Sequence, residues 1–109
     1  MAARSSVAAI MGALADPTRR GVFERIIKAP EITVVELTHG ARVSQAAVSQ
    51  HLRTLKEAGL VAARREGRNV HYRAEPRGLG PLVDWLGTYG LFWRERFANL
   101  KALLKEIDP

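Results

Sequence analysis

The sequence predicts a fold that is mainly α with a small two-stranded β-wing. Three observations predict it. Residues 44–57 form a capped segment with one apolar and one polar face, a short glycine-centred hairpin follows, and a long amphipathic segment ends the chain. With 109 residues, of which 47% are hydrophobic, the chain can bury one modest core, so we expect a single domain over residues 1–109.

Residues 44–57 are predicted to form a helix that presents a polar face. Ser44 is a favourable N-cap, and Gly59 suits the residue that follows a helix C-terminus. Val48, Leu52 and Leu55 recur at helical spacing and form the apolar face. The other face carries short or hydrogen-bonding side chains, which suit the base edges of a DNA major groove. The residues predicted to contact DNA here are Ser44, Gln45, Ala46, Ser49, Gln50 and Arg53.

A shorter helix is predicted immediately before this one. Thr33 and Glu36 have the three-residue spacing of a capping box, and Gly40 turns the chain after about His39. Two helices joined by a short turn, the second with a polar reading face, indicate a helix-turn-helix over about residues 33–57.

Two further helices are predicted near the N-terminus. One covers about residues 5–15, and the next runs over 17–28, begun by an Asp cap with Pro in the first turn. The second helix is expected to turn Val22, Phe23, Ile26 and Ile27 inward.

Residues 60–75 are predicted to form the wing. Leu60–Arg65 and Asn69–Ala74 have strand character, and Gly67 between them can supply the positive φ of a tight hairpin turn. Arginines on such a hairpin can contact phosphates or enter a minor groove. The wing residues predicted to contact DNA are Arg64, Arg65 and Arg68.

The positive charge is concentrated on the same part of the chain. The net charge is +6, and residues 42–73 carry seven arginines and lysines but only Glu57 and Glu66 as acidic residues. A positive field centred on a reading helix and wing is typical of a protein that binds duplex DNA.

The last third of the chain is predicted to be one amphipathic helix, over about residues 79–106. Its apolar positions recur in steps of three and four, and aromatic residues widen the apolar face beyond what one small domain needs. Pairing of this helix and the 5–15 helix with their twofold mates would cover that face. The predicted dimer interface consists of Val7, Ile10, Met11, Leu82, Leu86, Tyr89, Trp93 and Phe97.

Three segments carry a resemblance to a known family. ALADPTRRGVFERII (13–27), VVELTHGARVSQAAVSQHLRTLKEAGLV (34–61) and RREGRNVHYRAEP (64–76) resemble the ArsR-type (ArsR/SmtB) winged-helix repressors, and the likeness extends over about residues 5–105. The resemblance implies a homodimeric bacterial repressor that leaves its operator when an inducer binds. The family's metal sensors carry thiolates around positions 38–40 and acidic and histidine ligands near Asp84. This chain has no cysteine and no histidine in its tail helix, so we expect no metal site and no cofactor.

Other classes of protein are not favoured by the sequence. No nucleophile with a base, phosphate loop or carboxylate pair is evident, so we do not expect an enzyme. No long apolar run or signal sequence is evident, so we expect a cytoplasmic, nucleoid-associated protein without a membrane partner. The favoured function is a sequence-specific homodimeric repressor on an inverted-repeat operator, released by a non-metal signal such as an unidentified small molecule. The alternatives are a nucleoid-architectural DNA binder, or a protein-interaction module that uses its tail helix.

Overall fold

The computed structural model describes residues 6–107 and contains five helices and three strands within that range. The elements are α1 Val7–Ala15, α2 Pro17–Ile27, β1 Ile32–Thr33, α3 Val34–His39, α4 Gln45–Glu57, β2 Val61–Glu66, β3 Asn69–Ala74 and α5 Gly80–Ile107. The predicted mainly α fold with a β-wing is confirmed. The sheet, however, has a third strand that the sequence did not predict.

Side-chain caps set where the helices begin. The Asp16 carboxylate accepts a hydrogen bond from Arg19 N at 2.8 Å and starts α2, as predicted. Thr33 and Glu36 form the predicted capping box at α3, and the Ser44 hydroxyl accepts from the third residue of α4. The first helix begins at Val7, capped by Ser6, and residue 5 of its predicted range lies outside the described residues.

The end of α4 explains why the wing begins one residue later than predicted. Gly59 has a φ of 79°, and its N–H donates to Lys56 O while Leu60 N–H donates to Leu55 O. These two bonds form a Schellman motif, which satisfies carbonyls at the helix end. Because the Leu60 N–H is used there, β2 starts at Val61 and not at Leu60.

The three strands form an antiparallel sheet in the order β1-β3-β2. Ile32 pairs with Tyr72 and Thr33 with His71, so β1 ties the segment before α3 to the wing. A strand of two residues is too short to show period-two alternation, so no sequence pattern predicted it. It connects the wing to the helix-turn-helix.

The core lies between α1, α2, α3, α4 and one face of the sheet. Its fully buried large side chains are Ile10, Ile26, Leu37, Val48, Leu52, Leu55 and Leu60. Val22, Phe23 and Ile26 point inward as predicted, but the prediction for Ile27 is wrong: its side chain is 52% exposed. At about 100° per residue, Val22, Phe23 and Ile26 lie within one arc of α2, and Ile27, its last residue, lies about 40° beyond that arc and faces solvent.

Helix α5 is 28 residues long and contains no buried residue. Its N-terminal part lies against α1, Leu82 of α5 and Leu79 just before it pack against the core, and the rest of the helix extends away from the core. The Cα radius of gyration is 17.9 Å, whereas a compact chain of this length has a radius of about 13 Å. Within residues 6–107, no helix combines the length and apolar character needed to cross a bilayer.

Candidate nucleic-acid interface

Helix α4 separates a buried face from an exposed one. Val48, Leu52 and Leu55 are 0% exposed and fix the helix on the core. The predicted reading residues of the helix lie on the opposite, exposed face, which we call the reading face: Gln45, Ala46, Ser49, Gln50 and Arg53. Ser44 is also exposed, but its hydroxyl accepts the capping hydrogen bond from Ala47 N at 3.1 Å. Its structural role is therefore to start the helix.

The tip of the wing lies beside this face. Gly67 has a φ of 62° and is followed by Arg68, which has a negative φ, as in a type II′ hairpin turn. A crevice of about 180 Å³ between α3, α4 and the wing is lined by residues of all three. Gln45 and Ser49 of the reading face lie on one wall, and Arg68 and Asn69 of the wing lie on another. The fold thus brings together residues that are about twenty positions apart in sequence.

The register of the hairpin places neighbouring arginines on opposite sides of it. Arg65 pairs with Val70, which lines the crevice, whereas Arg64 pairs with His71. Cross-strand partners share a face of the sheet and successive residues alternate, so Arg65 lies on the α4 side and Arg64 on the far side.

Arg64 is engaged by two carboxylates on that far side. Its Nε and Nη2 donate to the Glu31 carboxylate at 3.1 and 2.7 Å, and its Nη1 donates to Glu66 Oε2 at 3.1 Å. The side chain of His71 lies beside them, with Nδ1 3.9 Å from Glu31 Oε1 and Nε2 3.7 Å from Glu66 Oε2. Of the three wing arginines predicted to contact DNA, Arg64 has its donors directed at the protein's own acidic groups.

Hydrogen bonding shifts the titration of several acidic groups near this surface. The hydrogen bond from Arg64 lowers the pKa of Glu31 below its ordinary value of 4.5. The backbone N–H of Thr33 lowers the pKa of Glu36 in the same way. Conversely, the hydrogen bonds to Glu31 and Glu66 raise the pKa of Arg64. Glu31, Glu36 and Arg64 are therefore charged at neutral pH, and the ion pair between Arg64 and Glu31 is kept there.

Two residues of this surface were missed by the sequence reasoning. Asn69 follows the turn directly and lines the crevice, and its position next to a glycine turn was the available signal. Glu31 acts on the wing from 33 positions away through Arg64, and no local pattern reveals such a contact.

The predicted dimer residues are divided between the surface and the core. Met11, Leu86, Tyr89, Trp93 and Phe97 are between 43% and 58% exposed, so they are available to a second chain. Val7 and Leu82 are half-buried. Ile10 is 0% exposed, so its inclusion was wrong: it packs within its own protomer's core and has no surface left for a partner.

No group of three or more His, Asp or Glu side chains in residues 6–107 is placed to hold a metal ion, and the chain has no cysteine.

Comparison with known proteins finds relatives that share the helix-turn-helix. A family model described as a helix-turn-helix domain matches residues 14–64, the stretch from α1 into the wing. The chain is 47% identical over 92 residues to the HTH-type transcriptional regulator Rv2034 of Mycobacterium tuberculosis, covering 84% of this chain and 82% of that one. It is 44% identical over 63 residues to the arsenic resistance transcriptional regulator ArsR1 of Pseudomonas putida, and this match spans about half of that protein, 49%.

Solved structures extend the likeness to the whole fold. An ArsR-like transcriptional regulator from Rhodococcus sp. RHA1 superposes with a TM-score of 0.71 at 30% identity, over 93% of this chain and 92% of that one. The agreement includes the terminal helices as well as the helix-turn-helix and wing. The fold, the exposed reading face and these relatives together show that the chain belongs to the ArsR-type family of winged-helix, DNA-binding transcriptional regulators.

Proposed function

We propose that the chain is a homodimeric, sequence-specific repressor whose operator is an inverted repeat and whose release signal is not a metal ion. The observation that carries this proposal is the shared crevice, because Gln45 and Ser49 of α4 and Arg68 of the wing line one surface. A helix of this kind enters a major groove with its N-terminal residues on the base edges, and the wing reaches the adjoining backbone or minor groove.

The chemistry of the reading face supports base recognition over a purely electrostatic grip. Gln and Arg can form paired hydrogen bonds with the edges of purine bases. The Ser hydroxyl can hydrogen-bond to a donor or an acceptor on a base edge, and Ala can contact the methyl group of thymine. Arg53 lies one turn beyond Ser49 and Gln50 on the same exposed face. Arg65 and Arg68 lie on or beside the α4 side of the wing, where phosphates of the same site would pass. Arg64 is assigned to the wing's internal structure because its donors meet Glu31 and Glu66.

The dimer is supported by the apolar surface of α5. Leu86, Tyr89, Trp93, Phe97, Leu100 and Leu104 are each about half exposed and lie on steps of three and four residues. Monomeric soluble proteins rarely expose so continuous an apolar surface. A twofold pairing through α1 and α5 covers it and sets two α4 helices about 34–36 Å apart, one turn of DNA.

The non-metal signal is supported by the donor chemistry of the chain. Thiolate ligands are absent from the sequence, and residues 6–107 hold no cluster of carboxylate and imidazole groups suited to a metal. Zinc, nickel or arsenite at concentrations that saturate metal sensors should leave operator affinity unchanged in a mobility-shift titration.

The experiment that tests the proposal is selection of DNA from a random pool, followed by titration of the selected site. Ser49→Ala and Arg53→Ala should each cost about 1–3 kcal/mol against the selected operator and less against random DNA. Lys28→Ala is the control, because Lys28 is an exposed basic residue at the C-cap of α2, outside α4 and the wing. If the selected pool shows no common sequence, or if both reading-face variants keep full discrimination, the chain is not a sequence-specific regulator.

The same measurements separate the two other functions considered. Equal competition by random DNA would indicate an architectural nucleoid binder. A monomer by light scattering would leave the α5 face free for another protein and would contradict the proposed homodimer.

A further inference from the structure

A cleft of about 300 Å³ lies between α2 and the turn that joins α3 to α4. Thr18, Gly21, Val22 and Arg25 of α2 form one side, and residues 40–43 of the turn form the other. This volume is at the lower end of the range for small-molecule sites. The cleft ends one residue before the N-cap of the reading helix, and the reading-face side chains do not line it.

Two arginines give the cleft a positive charge. Arg25 is half-buried, and its guanidinium is held in place because Nη1 donates to Leu37 O at 2.6 Å and Nη2 donates to Glu36 O at 3.1 Å. Arg42 extends from the turn. In residues 6–107, neither guanidinium lies within 4.0 Å of a carboxylate. Carbonyl partners fix the position of Arg25 but leave its charge without a counter-ion.

The remaining walls are apolar. Val22 is buried, Ala41 and Val43 are half-buried, and Gly21, which also lines the cleft, has no atom within 4 Å of where a Cβ would be. A charged end and an apolar end in one cleft match a small anion that carries a hydrocarbon or aromatic part. A DNA phosphate has the same charge but no apolar part, and Arg25 lies partly inside the protein.

We propose that this cleft binds a small organic carboxylate. Its carboxylate pairs with the guanidinium groups of Arg25 and Arg42, and its apolar part lies on Val22 and Val43. The consequence for regulation rests on the proposed function. The occupant touches both α2, on which α4 packs, and the turn that leads into α4, so binding is coupled to the position of the reading helix.

Isothermal titration calorimetry without DNA tests the site, with benzoate as the probe and benzamide as its neutral counterpart. Benzoate should bind one molecule per chain, and benzamide at least about tenfold more weakly, since only the carboxylate forms charge-assisted hydrogen bonds. Arg42→Gln should weaken benzoate binding about tenfold. Arg77→Gln removes the same charge from an exposed loop outside the cleft and should change nothing.

A second variant fills the cleft without altering its charge. Gly21→Leu places a side chain in the open space beside Val22 and should abolish benzoate binding, while Gly21→Ala should weaken it less. Circular dichroism verifies that the helices remain formed in each variant. If Gly21→Leu fails to fold, the Arg42→Gln and Gly21→Ala results decide the question.

Three results would overturn the proposal. They are equal binding of benzoate and benzamide, absence of benzoate binding, and benzoate binding that survives both Arg42→Gln and Gly21→Leu. A different set of results would assign the arginines to the DNA backbone. In that case inorganic phosphate would bind, benzoate would not bind, and Arg42→Gln would lower the affinity for DNA. Because the calorimetry contains no DNA, its failure is distinguishable from failure of the repressor proposal, which is tested by operator selection.

Discussion

Arg64 and Arg68 belong to the same wing, yet we expect only one of them to contribute to the salt dependence of DNA binding. Arg64 is shared by Glu31 and Glu66, so the three groups together carry a net negative charge. Arg68 is exposed at the tip, with no ion pair in the part of the chain that the structure describes. Replacing either arginine with Gln removes one positive charge from the same hairpin. The two variants therefore compare an arginine that is paired with carboxylates with one that is free to contact a phosphate.

The expected magnitude follows from counterion release. Each phosphate contact contributes about 0.9 to the slope of log affinity against log salt concentration. A dimer that loses Arg68 from both wings should lose about 1.8 of that slope, or about one decade of salt sensitivity between 50 and 200 mM. Arg64→Gln should leave the slope unchanged. Glu31→Gln combined with Glu66→Gln should steepen the slope, because it releases the Arg64 guanidinium.

Fluorescence anisotropy with a labelled operator at five or more salt concentrations measures these slopes. Circular dichroism and melting of each variant verify that the wing and core are intact. The reasoning is refuted if Arg64→Gln flattens the slope as much as Arg68→Gln does. It is also refuted if Arg68→Gln has no effect on the slope.

Four further substitutions test assembly and stability. Phe97→Glu places a charge on the exposed face of α5 and should convert the dimer to a monomer in sedimentation equilibrium; an unchanged mass would contradict the proposed interface. Gly78→Ala should lower the free energy of unfolding by about 1–3 kcal/mol in urea titration, because its Cβ would lie 2.5 Å from Gly59 O, a backbone atom. Gly21→Ala adds a methyl group in open space within α2 and should raise the free energy of unfolding by about 0.5–1 kcal/mol. A Gly21→Ala variant less stable than Gly78→Ala would refute the steric argument. Glu36 has a lowered folded-state pKa, so its contribution to stability is present above its ordinary pKa of 4.5 and lost as the pH falls through the lowered value. Glu36→Gln keeps the geometry of the capping box but has no carboxylate to titrate. Its melting temperature should therefore fall less than that of the unsubstituted chain between pH 5 and strongly acidic solution. An equal fall in both proteins would contradict this.

Local patterns in the sequence were sufficient for most of the elements. Caps at Asp16, Thr33 and Ser44 act within one helical turn. The spacing of apolar residues by three and four positions indicates which side of a helix is buried. The positive φ of Gly59 and Gly67 was likewise evident from residue type. For these features, the interacting groups are three or four residues apart, so the sequence contains the whole interaction.

Features that depend on contacts between distant segments were not accessible in this way. The strand Ile32–Thr33 exists only because β3 offers it an edge, and Ile27 faces solvent because the core covers α2 only over the arc of Val22, Phe23 and Ile26. Ile10 was predicted to lie in the dimer interface, because an apolar residue suits an interface and a core equally well. Only the packing of the folded chain shows that Ile10 lies in the core of its own protomer.

The sequence by itself determined a family, a helix with an exposed polar face and a basic hairpin, since these depend on residue types at short spacing. Tertiary structure decided which arginine faces the reading helix and which is held by Glu31, because strand register and a contact across 33 positions set those directions. It also formed the cleft at Arg25 and Arg42, since that space exists only where two separately encoded segments pack against each other.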